Sequence, residues 1–294
     1  MAEQFPELKY DFEYSVAEID KNISIAYLDA GEKKNLNVLL FIHGLSSYIP
    51  AWSKLIPLLA NQFRCIAIDL PGYAKSSAGA HSGSMLFYSE TIYEFVRKLN
   101  LSKVKIVGHS MGGQIAIITA LSFPSLIENL ILLAPAGLET FTDEEKFLLK
   151  KSYTAESFAL TNDEQIRLNY KINFFSMPED TERMILDRIG MKSWKNFYNY
   201  CQVVSNSFYS MLDYPVVSRL HLIAQPTLIL FGRNDRLIPI TSLHRNLTTE
   251  KIAVESASKI PNSKLVMINE CGHFLQFEKQ NEISRIIIDF VDKK

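Results

Sequence analysis

The chain has 294 residues, 47% hydrophobic and 21% charged, a balance that gives ample apolar surface for a folded core and argues against a disordered chain. Its 31 basic and 32 acidic residues are mixed along the sequence and leave a formal net charge of -1, so no broad positive field favours nucleic acid as a partner. Even the paired Lys150 and Lys151 stand beside acids and read as a solvated helix face.

Met1 to Tyr14 is rich in acids and lacks the basic start and apolar run of a signal peptide, which predicts a cytoplasmic protein. No apolar run approaches the roughly 18 residues needed to span a bilayer, so stable membrane insertion is not expected. Cys65, Cys201 and Cys271 are widely spaced without metal-ligand spacing and read as buried free thiols. Cys271 lies two residues before His273, close enough for its thiol to line a site there.

In chain order, Glu13 to Ile19 and Ile23 to Leu28 flank Asp20-Lys21-Asn22 and predict an antiparallel hairpin at a sheet edge. Short apolar runs then recur at Val38 to Ile42, Cys65 to Ile68, Val104 to Val107, Ile127 to Leu133, Thr227 to Phe231 and Lys264 to Ile268. Continuous apolar runs of this length indicate parallel strands buried on both faces. Helical patterns separate them at Ala51 to Asn61, Ser84 to Leu99, Ser110 to Ser122, Ile240 to Leu247 or slightly beyond, and Asn281 to Val291. The expected fold is therefore α/β, a mostly parallel central sheet with helices on both faces.

The alternation lapses between about Gly137 and Leu220, where helical patterns dominate. This predicts a core of residues 1–136 and 221–294 with residues 137–220 inserted as a helical cap, hinged near Pro135 and Pro215. The insertion is rich in aromatics, most of which should pack its own small core. Its arginines Arg167, Arg183 and Arg188 could clamp a carboxylate, but their mixed-charge neighbours favour solvated helix faces.

Gly108-His109-Ser110-Met111-Gly112 directly follows one apolar run and directly precedes a helical one. A serine on so sharp a strand-to-helix turn takes a strained backbone, with Gly108 and Gly112 leaving the room, and its hydroxyl stands out above the strand ends. That hydroxyl needs a base, and the base needs a fixed tautomer. His273 follows the last predicted strand, and Asp235 follows the one before it, beside the turn-favouring Gly232 and Asn234. The helix start offers Met111 N–H to an oxyanion. The second donor is expected from Leu45 N–H, after His43-Gly44 at the end of an early strand. Gly44 would let backbone approach a substrate, and His43 reads as a buried support rather than a second base.

Taken together, His43-Gly44, Asp69-Leu70-Pro71-Gly72-Tyr73 with Ser76, Gly108 to Gly112, Gly232 to Asp235 and Gly272-His273 resemble the α/β-hydrolase superfamily in family order, over essentially the whole chain outside the insertion. One departure is Ala74, where the family's Asp-x-Pro-Gly-x-Gly-x-Ser segment has its second glycine. The resemblance implies acyl transfer to Ser110, with His273 as base and Asp235 stabilising the imidazolium, and no metal or organic cofactor. Relatives of similar build that cleave epoxides or haloalkanes carry an aspartate nucleophile, whereas this chain has Ser110. The leading expectation is a carboxylic-ester hydrolase for a small or medium apolar ester. The alternatives are a carbon–carbon bond hydrolase of a dioxo acid, whose members often carry tryptophan where Phe274 stands, and a ligand receptor that keeps the fold. Acyl-chain length and oligomeric state stay open.

Overall fold

A computed structural model describes residues 8–78 and 82–292. Of the acidic start Met1 to Tyr14, residues 1–7 lie outside the described residues. The eight strands are β1 (Ser15–Glu18), β2 (Ser24–Ala30), β3 (Val38–Ile42), β4 (Arg64–Ile68), β5 (Val104–His109), β6 (Ile127–Leu133), β7 (Thr227–Gly232) and β8 (Ser263–Ile268). They form one sheet in the order β1-β2-β4-β3-β5-β6-β7-β8. β1 and β2 run antiparallel as the edge hairpin, and every pairing from β4 to β8 is parallel.

Because β3 lies between β4 and β5, the chain leaves it first to one side and then crosses to the other. Open α/β sheets bind ligands in the crevice at such a reversal, beyond the carboxyl ends of the strands. The loops after β3 and β5, which carry His43-Gly44 and Ser110, flank that crevice. Residues of β3, β5 and β7 are buried throughout, as strands covered on both faces require.

The helices are α1 (Ile56–Leu59), α2 (Met85–Lys98), α3 (Met111–Ser122), α4 (Asp143–Ser152), α5 (Ala155–Ala159), α6 (Asp163–Lys171), α7 (Glu182–Gly190), α8 (Phe197–Asp213), α9 (Thr249–Lys259), α10 (Leu275–Glu278) and α11 (Gln280–Val291). α2 packs on α3, and α1 on α11. The five helices α4 to α8 lie between β6 and β7, with no strand among them. No helix among the described residues is long and apolar enough to cross a membrane.

Three helix expectations need correction. Ile240 to Leu247 is not a helix but a series of turns after Pro239, and the helix begins at Thr249, where Thr248 accepts a cap bond from Lys251 N–H. The helix expected over Ala51 to Asn61 is broken into a 3-10 turn, Ile49–Trp52, and the short α1, with Pro50 and Pro57 in the first turn of each. Proline suits a first turn but cannot donate within a continuing helix. The helix expected from Ser110 starts one residue later, because Ser110 itself is not helical.

Candidate active site

From Val104 to Ala120 every residue is buried except Ser110. Ser110 holds φ 53° and ψ -117°, a region that ordinary residues avoid and that costs about 1–3 kcal/mol. The surroundings impose it. A Cβ on Gly108 would collide with the Gly112 carbonyl, one on Gly112 with the Ile42 carbonyl oxygen, and one on Gly113 with Pro135. Backbone bonds lock the turn: Ser110 N–H donates to Leu133 O at 3.0 Å, while Ser110 O accepts from Gly113 N–H at 2.9 Å and Ala136 N–H at 3.0 Å.

The loop after β3 comes up against this turn. A Cβ on Gly44 would stand 3.1 Å from Ser110 Cβ and 3.0 Å from His109 Nδ1, so the backbone leading into Leu45 lies against the serine. Met111 is the first residue of α3, where N–H groups have no acceptor within the helix. His43 is fully buried. Its Nε2 accepts from Leu70 N–H at 3.0 Å, which leaves Nδ1–H to donate to Gly44 O at 2.8 Å. Burial holds its pKa down to about 4, so the ring is neutral near pH 7 and fixes the loop rather than moving protons.

On the other side, the loops after β7 and β8 cross where a Cβ on Gly232 would collide with the Gly272 carbonyl. That contact brings Asp235 and His273 together. Asp235 Oδ2 lies 2.7 Å from His273 Nδ1, and Oδ1 accepts from Leu237 N–H at 2.8 Å and Ile238 N–H at 3.1 Å. The two side chains are 0% and 4% exposed. A carboxylate so placed keeps the proton on Nδ1 and the basic lone pair on Nε2.

Three residues that the sequence reading did not single out hold His273 in place. His109 donates from Nε2–H to the His273 carbonyl at 2.9 Å, and its ring packs against those of Phe274 and His273, with centroids 4.8 and 4.9 Å apart. Asn173 O, from the segment between β6 and β7, accepts from His273 N–H at 2.7 Å and Phe274 N–H at 3.1 Å. Glu278 accepts from Gly272 N–H at 2.8 Å and Ser176 N–H at 2.6 Å. Only His109 carried a signal, as the variable residue of the serine motif. Asn173 acts through its main chain, which any residue could supply.

Ala74, which stands where the family's segment has its second glycine, takes φ 42°, the left-handed conformation that glycine prefers. Ser76 Oγ–H donates to Asp69 O, and Asp69, fully buried, accepts from Tyr10, Ile49 N–H and Lys75 N–H. Burial raises its pKa to about 6. Burial also pushes the Cys271 thiol well up, so no activated thiolate stands beside His273. Among the described residues no group of three His, Cys, Asp or Glu side chains could hold a metal.

The three arginines part company. Arg167 pairs with Glu182 and Arg183 with Asp11, both at the surface. Arg188 does not sit on a solvated face: it is 9% exposed, its guanidinium lies over Phe197 and Tyr200 at 5.0 and 5.6 Å, and its Nη1 has no partner. It lines a small cavity of about 20 Å³ with Ser46, the residue after Leu45, and with Tyr48, Tyr170, Tyr200 and Leu8.

A model of the alpha/beta hydrolase fold family matches residues 37–280. A 2-hydroxy-6-oxononadienedioate/2-hydroxy-6-oxononatrienedioate hydrolase of Pseudomonas putida is 28% identical, over 92% of this chain and 93% of its own. Among solved structures, a probable hydrolytic enzyme of Pseudomonas aeruginosa PAO1 superposes with a TM-score of 0.87 at 23% identity, covering 99% of this chain and 98% of that one. An esterase from Exiguobacterium antarcticum gives a TM-score of 0.75 at 21% identity, covering 92% and 96%. At these identities the two structures attest the fold alone.

Proposed function

This chain belongs to the alpha/beta hydrolase fold family, and on that footing we propose that it is a serine hydrolase cleaving a carboxylic ester through an acyl-enzyme on Ser110. The observation that carries the reading is the buried Asp235–His273 pair, 2.7 Å apart, at the sheet edge that presents the half-buried Ser110. Ser110 Oγ attacks the carbonyl carbon as His273 Nε2 takes its proton. Leu45 and Met111 N–H receive the oxyanion, each donor worth about 3 kcal/mol in the transition state. Collapse expels the alcohol, protonated by His273, which then activates water to release the acid. Residues 137–220 act as the cap over this centre, supplying Asn173 to the histidine loop.

A second reading, carbon–carbon cleavage of a dioxo acid, is favoured by Arg188. A buried cation with an unpartnered nitrogen on a cavity beside the oxyanion loop suits a substrate carboxylate, which a guanidinium can bind through two bonds. The Pseudomonas putida relative's name points the same way.

Steady-state hydrolysis of a chain-length series of p-nitrophenyl esters, run beside a dioxo acid, tests both. Ser110→Ala should remain folded and lose turnover of either class; wild-type-like rates in that variant would sink the assignment. Arg188→Met should lower kcat/KM for the carboxylate-bearing substrate at least about tenfold more than for a neutral ester, since charge-assisted bonds are worth about 1.5–3 kcal/mol. Equal losses would remove the support for the second reading.

A further inference from the structure

The residues ahead of the sheet do more than lead into β1. Leu8 is 3% exposed and forms one wall of the cavity that Ser46, Tyr48 and Arg188 also line. The segment behind it is tied down on three sides. Tyr10 OH donates to Asp69 Oδ2 at 2.5 Å, on the loop after β4. The Tyr10 ring packs against Tyr48, with centroids 6.1 Å apart, and Tyr48 OH in turn donates to Asp187 Oδ2 at 2.6 Å, on α7. Arg183, also on α7, donates to the Asp11 carboxylate and the Lys9 carbonyl. The Tyr10 ring also packs against Phe12 and Tyr14 within the segment, tilted and edge-on, with centroids 4.9 and 5.6 Å away.

These contacts span both halves of the molecule. The segment touches the core at Asp69 and Tyr48 and the β6–β7 insertion at Arg183, and its apolar tip reaches the cavity between them. Surface attachment alone would not bury Leu8. Leu8 and Arg188 line the same small cavity, which therefore has both an apolar wall and a buried cation with an unpartnered nitrogen.

We propose that Leu8–Tyr14 is a strap closing the substrate cavity, and that Leu8 sets the length of acyl chain the cavity accepts. This rests on the assignment of Ser110 as the nucleophile. Replacing Leu8 with alanine removes three carbons from the wall and opens room for longer chains. Each additional methylene seated there is worth about 0.8 kcal/mol, or about fourfold in rate constant for reaction of the free enzyme.

The test uses the full chain and alkyl p-nitrophenyl phosphonates from methyl to octyl. Attack forms the Ser110 Oγ–P bond and breaks the bond from phosphorus to the aryl oxygen, and p-nitrophenolate leaves with the electron pair and is read by absorbance. Leu8→Ala should raise the octyl-to-methyl ratio of labelling rates by about fourfold or more over wild type. Leu8→Val, which removes one carbon and preserves packing, should move it in the same direction by a smaller step and carries the test if the alanine variant does not fold. Labelling of wild type with an unchanged chain-length profile in the folded variants would overturn the strap alone. No labelling of wild type at any chain length would overturn the nucleophile assignment, and the strap with it.

Discussion

The carboxyl edge of the sheet and the helices between β6 and β7 are built by different rules. At the sheet edge backbone packs on backbone: Gly112 lies against the Ile42 carbonyl, Gly108 against Gly112, and Gly232 against Gly272, each without room for a Cβ. In the insertion Gly190 has nothing within 4 Å of where a Cβ would stand, and Phe147, Leu160, Leu168, Leu186 and Tyr198 are exposed. Its ion pairs Arg167–Glu182 and Lys192–Asp163 lie at the surface, where such pairs contribute little. In the function we propose, chemistry that tolerates little misplacement sits on the crowded edge, and the contacts that choose among substrates come from the looser region.

The sharpest way to break this contrast is at Asp235. Asp235→Asn keeps the shape but can offer an N–H to His273 Nδ1, which drives the proton to Nε2 and removes the base. Turnover should fall by about 10,000-fold with little change in fold or KM. Activity within tenfold of wild type would mean that the edge does not carry the chemistry. Gly112→Ala should come next, costing about 3 kcal/mol or more in urea unfolding, because neither the Ile42 nor the His43 carbonyl can retreat without breaking the sheet edge. A loss under about 1 kcal/mol would show that the edge yields as the insertion does.

A pH titration examines the same edge without altering its packing in wild type. His43, held down to about 4 against an ordinary value of 6.5, contributes stability that is complete above pH 6.5 and lost as pH falls through 4. Asp69, raised to about 6, has the opposite sign: its burial is tolerated when protonated, and stability is lost as pH rises through 6. Each effect is worth about 3 kcal/mol, so they nearly offset in wild type. The difference between wild type and His43→Gln isolates the histidine. Lowering pH from 7 to 4 should shift that difference by about 3 kcal/mol in the variant's favour; a constant difference would mean that His43 can be protonated in the folded chain.

Legibility in the sequence follows the same division. Strands buried on two faces must be continuous apolar runs, so Val38–Ile42 and Thr227–Gly232 stand out, and residues that follow them, His43-Gly44 and Asp235, inherit that signal. α9 was missed because its buried stripe holds only Ile252 and Ala253 among apolar residues. Arg188 was misread from its charged neighbours, although it lies four residues after Met184 and three after Ile185, on the buried stripe of α7. Asn173 left no trace because a carbonyl has no side-chain identity.

The smallest effect lies at Gly190, and it separates room from backbone need. Gly190 ends α7 with φ -59° and ψ -32°, an ordinary helical conformation, and leads directly into the 3-10 turn Met191–Ser193. Nothing there requires glycine, whereas its freedom in the unfolded chain is lost on folding. Gly190→Ala should therefore stabilise the protein by about 0.5–1 kcal/mol, raising the thermal midpoint by about 1–3 °C. The same substitution that should wreck the sheet edge at Gly112 should thus help the insertion. A lower midpoint for Gly190→Ala would show that the end of α7 is constrained by something other than space, and the contrast between the two regions would fail where it looks most complete.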